Sequence, residues 1–317
     1  FVQLLFQFPF LRHLQLFPKP RIRFHDEGVR RVLKLMVPAL FGVSVSQVNL
    51  LLDTLFASLL VVGSVSWLYF SDRLMEFPLG VIGVAISTVI LPHLSRHHAS
   101  QSHTDFSDTI DWALRLVLLV GMPAAVVFAV ISGPLLSTLL QHGHFNGYAV
   151  VMARKSLSMF AIGIAPFMLI KILAAGFYAR QDVRTPVRIG IIAMIANMVF
   201  NVILIWPFKH AGIALATSLS AVLNGGLLFY FLRKRQIYIP CEGWYAFAFR
   251  LIFANIVLGI FLWFAAGSTE EWIVQGVWWR IGHLSVLLVS AVILYFGGLW
   301  IAGVRPRDIL IQQRQPA

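Results

Sequence analysis

Three ionisable side chains, Asp72, Arg73 and Glu76, interrupt an otherwise apolar run over residues 65–91. In a helix rising 1.5 Å per residue, Arg73 lies about 12 Å below the start of that run, inside a hydrocarbon core about 30 Å thick. A charge at that depth is costly, and it normally faces a water-filled cavity or a partner. Arg73 and Glu76 stand at i and i+3, and Asp72 and Glu76 at i and i+4, so one side of the helix carries mixed charge. Pro78 lacks the N–H that would bond the Leu74 carbonyl, which leaves an acceptor free beside these charges. Two chemistries fit: a structural ion pair that locks two helices, and a guanidinium that contacts substrate in a transport cavity.

A second polar set lies elsewhere in the apolar runs. Asp53 sits within the run that ends near Leu60, and Asn197 and Asn201 stand at i and i+4 of another. Thr217 follows shortly after the turn over 207–212, which makes the runs on either side of it antiparallel neighbours. Carboxylate, amide carbonyl, hydroxyl and freed backbone carbonyl are hard oxygen donors, suited to Na⁺ or a proton rather than a transition metal. An unpaired carboxylate in lipid protonates or finds a cation. Plain hydrogen bonding between helices by Asn and Thr is the alternative.

The elements that hold these residues follow from composition. The chain is 59% hydrophobic and 12% charged over 317 residues, and its mean hydropathy is +0.81. Soluble domains are nearer 45–50% apolar and about 25% charged. These values describe an integral membrane protein, and long apolar runs separated by short basic loops exclude a β-barrel. The expected fold is all-α, a polytopic transmembrane bundle with eight complete spans over 33–60, 65–94, 109–140, 150–178, 187–206, 210–232, 245–266 and 281–304. Residues 1–32 read as the end of a preceding transmembrane helix followed by a basic loop. Small residues such as Gly80, Gly163, Gly190, Gly212 and Gly226 allow close helix approach.

The formal charge of +12 would point to nucleic acid in a soluble protein. Here the basic residues cluster in alternate loops: Arg30, Arg31 and Lys34, then Arg96, then Arg180, Arg184 and Arg188, then Arg233, Lys234 and Arg235, then Arg305 and Arg307. By the positive-inside rule those loops and the C-terminus are cytoplasmic. No nucleic-acid surface is expected. Trp206, Trp244, Trp272, Trp278 and Trp279 fall at the expected interfaces and read as simple membrane anchors. The single cysteine, Cys241, excludes an intramolecular disulfide and a Cys-based metal cluster. No catalytic triad, phosphate loop, haem pair or HExxH run is present, which makes an intramembrane enzyme a weak alternative; the expectation is no enzyme.

Several blocks carry a resemblance. Gly42-Val-Ser-Val-Ser-Gln47, Thr54-Leu-Phe-Ala-Ser58, Gly63-Ser-Val-Ser-Trp67, Asp72-Arg-Leu-Met-Glu-Phe-Pro78, Gly83-Val-Ala85, Leu91-Pro92 and Ala175-Gly-Phe-Tyr-Ala-Arg-Gln-Asp-Val-Arg-Thr-Pro186 closely resemble the MurJ (MviN) family. These are lipid II flippases of the MOP exporter superfamily, and the resemblance covers essentially the whole chain. It implies helices seven to fourteen of fourteen: a six-helix C-terminal lobe over 33–234, then a terminal pair over 235–317 that forms a groove for the undecaprenyl tail. It further implies translocation of the undecaprenyl-diphosphate-linked peptidoglycan precursor to the outer leaflet of the bacterial inner membrane for cell-wall synthesis. Arg73 would contact the diphosphate, with Asp72 beside it and Ser66 and Glu76 as cavity residues. A guanidinium fork matches phosphate oxygens bidentately.

The resemblance also implies a Na⁺ site at Asp53, Asn197, Asn201 and Thr217, with Ile213 contributing its backbone carbonyl. Na⁺ is the only cofactor implied; lipid II and membrane lipids are the partners. The family's first lobe has no counterpart here, so the resemblance implies that the same gene or a separate chain supplies it, and that this chain alone does not flip lipid. Two rival functions remain: another MOP-type exporter, for polysaccharide lipid or drugs, and a non-transporting scaffold for cell-wall synthases.

Overall fold

The computed structural model describes residues 2–13 and 27–303. In chain order the elements are α1 (Val2–His13), α2 (Glu27–Ser58), α3 (Ser64–Pro78), a π-helical turn (Leu79–Gly83), α4 (Val84–Ala99), α5 (His103–Val130), α6 (Ser132–Leu140), α7 (Gly147–Tyr178), α8 (Arg184–Phe208), α9 (His210–Lys234), α10 (Trp244–Ala266), α11 (Thr269–Val274) and α12 (Val277–Ile301). Among the described residues there is no strand. Among the described residues seven helical segments are long and apolar enough to cross a membrane: Ser64–Ala99, α5, α7, α8, α9, α10 and α12. The chain is an all-helical, multi-pass membrane protein. The first expected span coincides with α2, which is not among the seven; many side chains in its N-terminal half lie outside the described set. Most of the basic segment that precedes α2, and the C-terminal tail from 304, also lie outside the described residues.

Helix α7 is the axis of the bundle, packed against α3, α4, α5, α6 and α9. Ala153, Leu157, Ile164, Met168 and Ile172 along it have no exposed surface. Gly163 lets α9 come close: a Cβ there would stand 2.9 Å from Ser218 Oγ. The Ser218 hydroxyl donates to the Met159 carbonyl at 2.8 Å, an interhelical bond that apolar surroundings favour. Helix α8 lies against α9 and α2, and the α10–α12 pair leans on α5. Gly80, Gly190 and Gly226 are not approach points, since a Cβ at each would meet nothing within 4 Å.

Two local departures from the expected spans occur. The third expected span breaks at Ile131, whose φ of −105° and ψ of 29° end α5. Pro134 has no N–H for the Val130 carbonyl, so the chain restarts as the separate helix α6. After Pro78 the chain winds into the π-helical turn, and at the junction the Leu79 N–H donates to the Glu76 carbonyl.

The tryptophans also divide. Trp206 and Trp278 are 75% and 86% exposed. Trp244 and Trp272 are not simple anchors. Trp244 Nε1 donates to Asp111 Oδ1 at 2.6 Å, and the buried Trp272 donates to the Ala266 carbonyl at 2.6 Å. An indole N–H taken from water needs an acceptor, and here each ring is fixed by one.

Asp111 is the centre of a network that the sequence reading missed. It is 3% exposed. Its Oδ1 accepts from the Tyr238 hydroxyl (2.7 Å), the Cys241 N–H (3.1 Å) and Trp244 Nε1, while Arg115 Nε donates to Oδ2 at 2.8 Å. Burial and the Asp111 carboxylate raise the Tyr238 phenol, which stays a donor. The Cys241 thiol is pushed up to about 12 by burial and by the Asp108 carboxylate it meets. This network ties the α9–α10 connection to α5.

Candidate functional site

A cavity of about 1130 Å³ opens between α2, α3, α7, α8 and α9. Its wall brings together most of the residues singled out from the sequence: Asp53 from α2, Asp72, Arg73 and Glu76 from α3, and Ile213 and Thr217 from α9. Helix α3 presents its charges to this space because residues 69, 72, 73 and 76 share one face. Arg73 Nη1 meets Glu76 Oε2 at 2.5 Å, and the two side chains are 53% and 51% exposed. The ion pair sits inside the chamber with open space around it. Ser66 is exposed two turns away on the same helix and is not part of this lining.

Asp53 is the hub of the second set. Asn201 Nδ2 donates to its Oδ1 at 2.6 Å, and the Thr217 hydroxyl and Asn49 Nδ2 lie 3.2 and 3.3 Å from Oδ2. Thr217 Oγ also lies 3.0 Å from the Ile213 carbonyl, which directs that oxygen to the same place. Asn197 and Asn201 have no exposed surface and form the floor behind Asp53. The tight α8–α9 turn sets their register against Thr217. Lys209 turns there at φ 54°, and Gly212 passes so close that a Cβ would stand 2.2 Å from the Leu204 carbonyl oxygen.

This network contains an unresolved conflict. Asp53 Oδ1, the Asn201 amide nitrogen and the Asn197 amide oxygen form a triangle with sides of 2.6, 2.9 and 3.1 Å. Donor and acceptor cannot alternate around three corners, so one side always joins like to like. With the Asn197 oxygen at that corner the like pair is oxygen against oxygen; the turned amide is better satisfied, its nitrogen donating to Asp53 Oδ1 and Asn49 Oδ1 at 3.1 Å each and its oxygen accepting from the Thr217 N–H at 3.2 Å. Turning the Asn197 amide sets nitrogen against nitrogen instead. Asn201 Oδ1 is buried and has no hydrogen-bond partner. A proton on the carboxylate or a cation among the oxygens removes the conflict.

The donor set therefore fits a hard monovalent cation: one carboxylate, neutral oxygens and a carbonyl. No cluster of three or more His, Cys, Asp or Glu is present among the described residues, which is unlike a transition-metal centre. Sequence reasoning missed Asn49, four residues before Asp53, and the cavity-lining Gln47, Tyr69 and Asn224. Their polar types inside apolar runs were the available signal. Among the described residues the charged side chains on this wall are three carboxylates and one guanidinium.

Outside the cavity, Asp182 caps α8. Burial pushes its carboxyl up, but the Thr185 hydroxyl and N–H and the Arg235 guanidinium outweigh that and hold it below the usual value. Arg235 Nη1 lies 2.7 Å from Asp182 Oδ2 and ties the α7–α8 loop to the end of α9.

Comparison with known proteins identifies the family. Residues 1–282 match the family model described as lipid II flippase MurJ. A probable lipid II flippase MurJ of Haemophilus influenzae is 47% identical over 98% of this chain and 62% of its own length. The Vibrio cholerae relative of the same description is 44% identical over 97% of this chain and 59% of its own. A lipid II flippase MurJ of Burkholderia cenocepacia is 40% identical over 96% and 60%. The chain thus spans about three fifths of the length of these relatives. Among solved structures, a lipid II flippase MurJ in an inward closed conformation superposes with a TM-score of 0.68 at 19% identity, covering 91% of this chain and 57% of that one. An outward-facing MATE family multidrug transporter of the MOP superfamily superposes at 0.57 and 17% identity, covering 86% and 64%. At those identities the likeness is one of fold. The match over residues 1–282, together with these identities along nearly the whole chain, places it in the lipid II flippase MurJ family.

Proposed function

We propose that this chain forms the substrate-binding C-terminal part of a flippase that carries lipid II, the undecaprenyl-diphosphate-linked peptidoglycan precursor, from the inner to the outer leaflet of the bacterial cytoplasmic membrane. The observation that carries this reading is Arg73, a guanidinium within the apolar span Ser64–Ala99 that is half exposed in a cavity of about 1130 Å³. Glu76 engages one of its nitrogens and holds the side chain in place in the absence of substrate; the remaining N–H groups of the fork meet phosphate oxygens. Asp72 stands beside the pair on the same wall.

With α2 as the eighth span and the arginine-rich loops on the cytoplasmic side, residues 33–234 form one lobe, residues 235–317 carry the lipid-tail pair, and the C-terminus is cytoplasmic. Formal charge among the described residues of the cavity wall is net acidic, so a diphosphate needs cations facing Arg73 from elsewhere. The relatives' additional length is the natural source of that opposing wall, and alternating access requires two lobes. Asp53, Asn197, Asn201, Thr217 and the Ile213 carbonyl would hold Na⁺, which would supply one positive charge to offset Asp53. Arg73→Ala in the full-length protein is expected to abolish rescue of a flippase-depleted strain; normal growth of that strain would remove Arg73 from the mechanism.

The acidic wall favours one second reading, export of a cationic compound. It predicts that cationic amphiphiles, and not diphosphate lipids, raise the melting temperature of the purified protein.

A further inference from the structure

Arg73 is held from two sides of its own helix. Glu76, three residues on, contacts Nη1 at 2.5 Å, and Tyr69, four residues back, places its ring centroid 5.2 Å from the guanidinium carbon. Tyr69 lines the same cavity and is 52% exposed, so its ring is not fixed by burial. It has a backing instead: it stands edge-on to Phe70 at 5.5 Å, and Phe70 stands edge-on to Phe145 of the α6–α7 loop at 5.3 Å. This run of rings gives the cavity-facing phenol a defined place beside the cation.

An arginine stem has several rotatable bonds, and a bidentate contact to an anion demands a particular orientation of the guanidinium plane. A carboxylate at one end of the fork fixes its position but leaves the plane free to turn about that contact. A ring face on the other side restricts the turn. We propose that Tyr69 is a positioning residue for the anionic head group: it orients the Arg73 guanidinium so that the nitrogens not taken by Glu76 face the cavity as a paired donor for a diphosphate. The proposal rests on the reading of Arg73 given above and extends it to a residue that need not touch the substrate.

The test is calorimetric binding of farnesyl diphosphate, with farnesol as the uncharged control, to the purified full-length protein in detergent. Tyr69→Leu is expected to weaken diphosphate binding about two- to fivefold, the range of an exposed cation–ring contact, and to leave farnesol unchanged. Tyr69→Phe, which keeps the ring, should bind within about twofold of the parent. In an Arg73→Lys background, whose ammonium has no plane to orient, Tyr69→Leu should cost less than in the parent. Tyr69→Gln serves as the ring-free variant if Tyr69→Leu does not fold. Equal losses in the Arg73 and Lys backgrounds, or no loss on removing the ring, overturn the positioning role. If Arg73→Ala itself binds diphosphate as the parent does, the reading beneath it fails as well.

Discussion

Asn201 reaches Asp53 across 148 residues of sequence, its amide nitrogen 2.6 Å from the carboxylate oxygen. That contact joins α8 to α2, while Thr217 of α9 closes on the other carboxylate oxygen at 3.2 Å. One side chain thus links three helices at the wall of the cavity that holds Arg73. Any change in the charge of Asp53 is felt by both the packing of α8 against α2 and the field in the chamber.

The first prediction concerns that carboxylate. A ligand at a hundredfold excess over its dissociation constant stabilises the folded state by about 2.7 kcal/mol. Purified protein is expected to melt at higher temperature as Na⁺ replaces K⁺ at constant ionic strength. Asp53→Asn should abolish the difference. A Na⁺ shift that survives in this variant would move the cation elsewhere.

Asp111 accepts three hydrogen bonds and pairs with Arg115. Removing one partner of a buried pair costs about 3–5 kcal/mol. Asp111→Ala should therefore lower the melting temperature sharply and loosen the α9–α10 connection, read as faster protease cleavage near residue 241. Trp244→Phe, which removes one donor and leaves the carboxylate with others, should cost about 1 kcal/mol.

The Asp182 cap gives a pH dependence with a fixed sign. Its folded-state value lies below the ordinary 3.8, so its stabilisation is present above that value and is lost as pH falls through the lowered one. Melting temperatures should drop between pH 5 and the acid limit in the parent. The drop should be smaller in Asp182→Asn, whose neutral amide does not titrate. Identical acid profiles would remove the cap from the account.

Backbone contact at the α8–α9 turn gives a paired test. Gly212→Ala would set a Cβ 2.2 Å from the Leu204 carbonyl oxygen, whereas Gly190→Ala meets nothing within 4 Å. Overpacking of this kind costs about 1–3 kcal/mol or more. The first variant is expected to lose much of its folded yield and the second to keep it, measured by size-exclusion profile after detergent extraction.

How much of this was legible in the sequence varies by residue. Asn197 and Asn201 declared their common face by helical spacing, and the short turn before Thr217 brought α9 alongside. Asp53 stood out as a carboxylate in an apolar run. Those four met as expected because the signals were local periodicity and one tight turn. Asp111 was hidden for the opposite reason: its partners Tyr238, Cys241 and Trp244 lie about 130 residues away, and no local pattern marks the pairing. Trp244 and Trp272 were misread because an interfacial position and a specific hydrogen bond look alike in sequence. The break at Ile131 follows from Pro134, which lies inside the long apolar run 109–140 expected as one span. The net acidic cavity wall needed the structure, since it depends on which faces of α2 and α3 turn inward.

Capture of an anionic head group by Arg73 requires that the side chain at position 73, within the apolar span Ser64–Ala99, stand in water. The direct measurement is the labelling rate of Arg73→Cys by a small charged thiol reagent, in a Cys241→Ser background, beside Ile164→Cys at a site with no exposed surface. Labelling at position 73 within about tenfold of a free thiol is expected, because the thiolate forms in water. A rate at position 73 no faster than that at position 164 would contradict it.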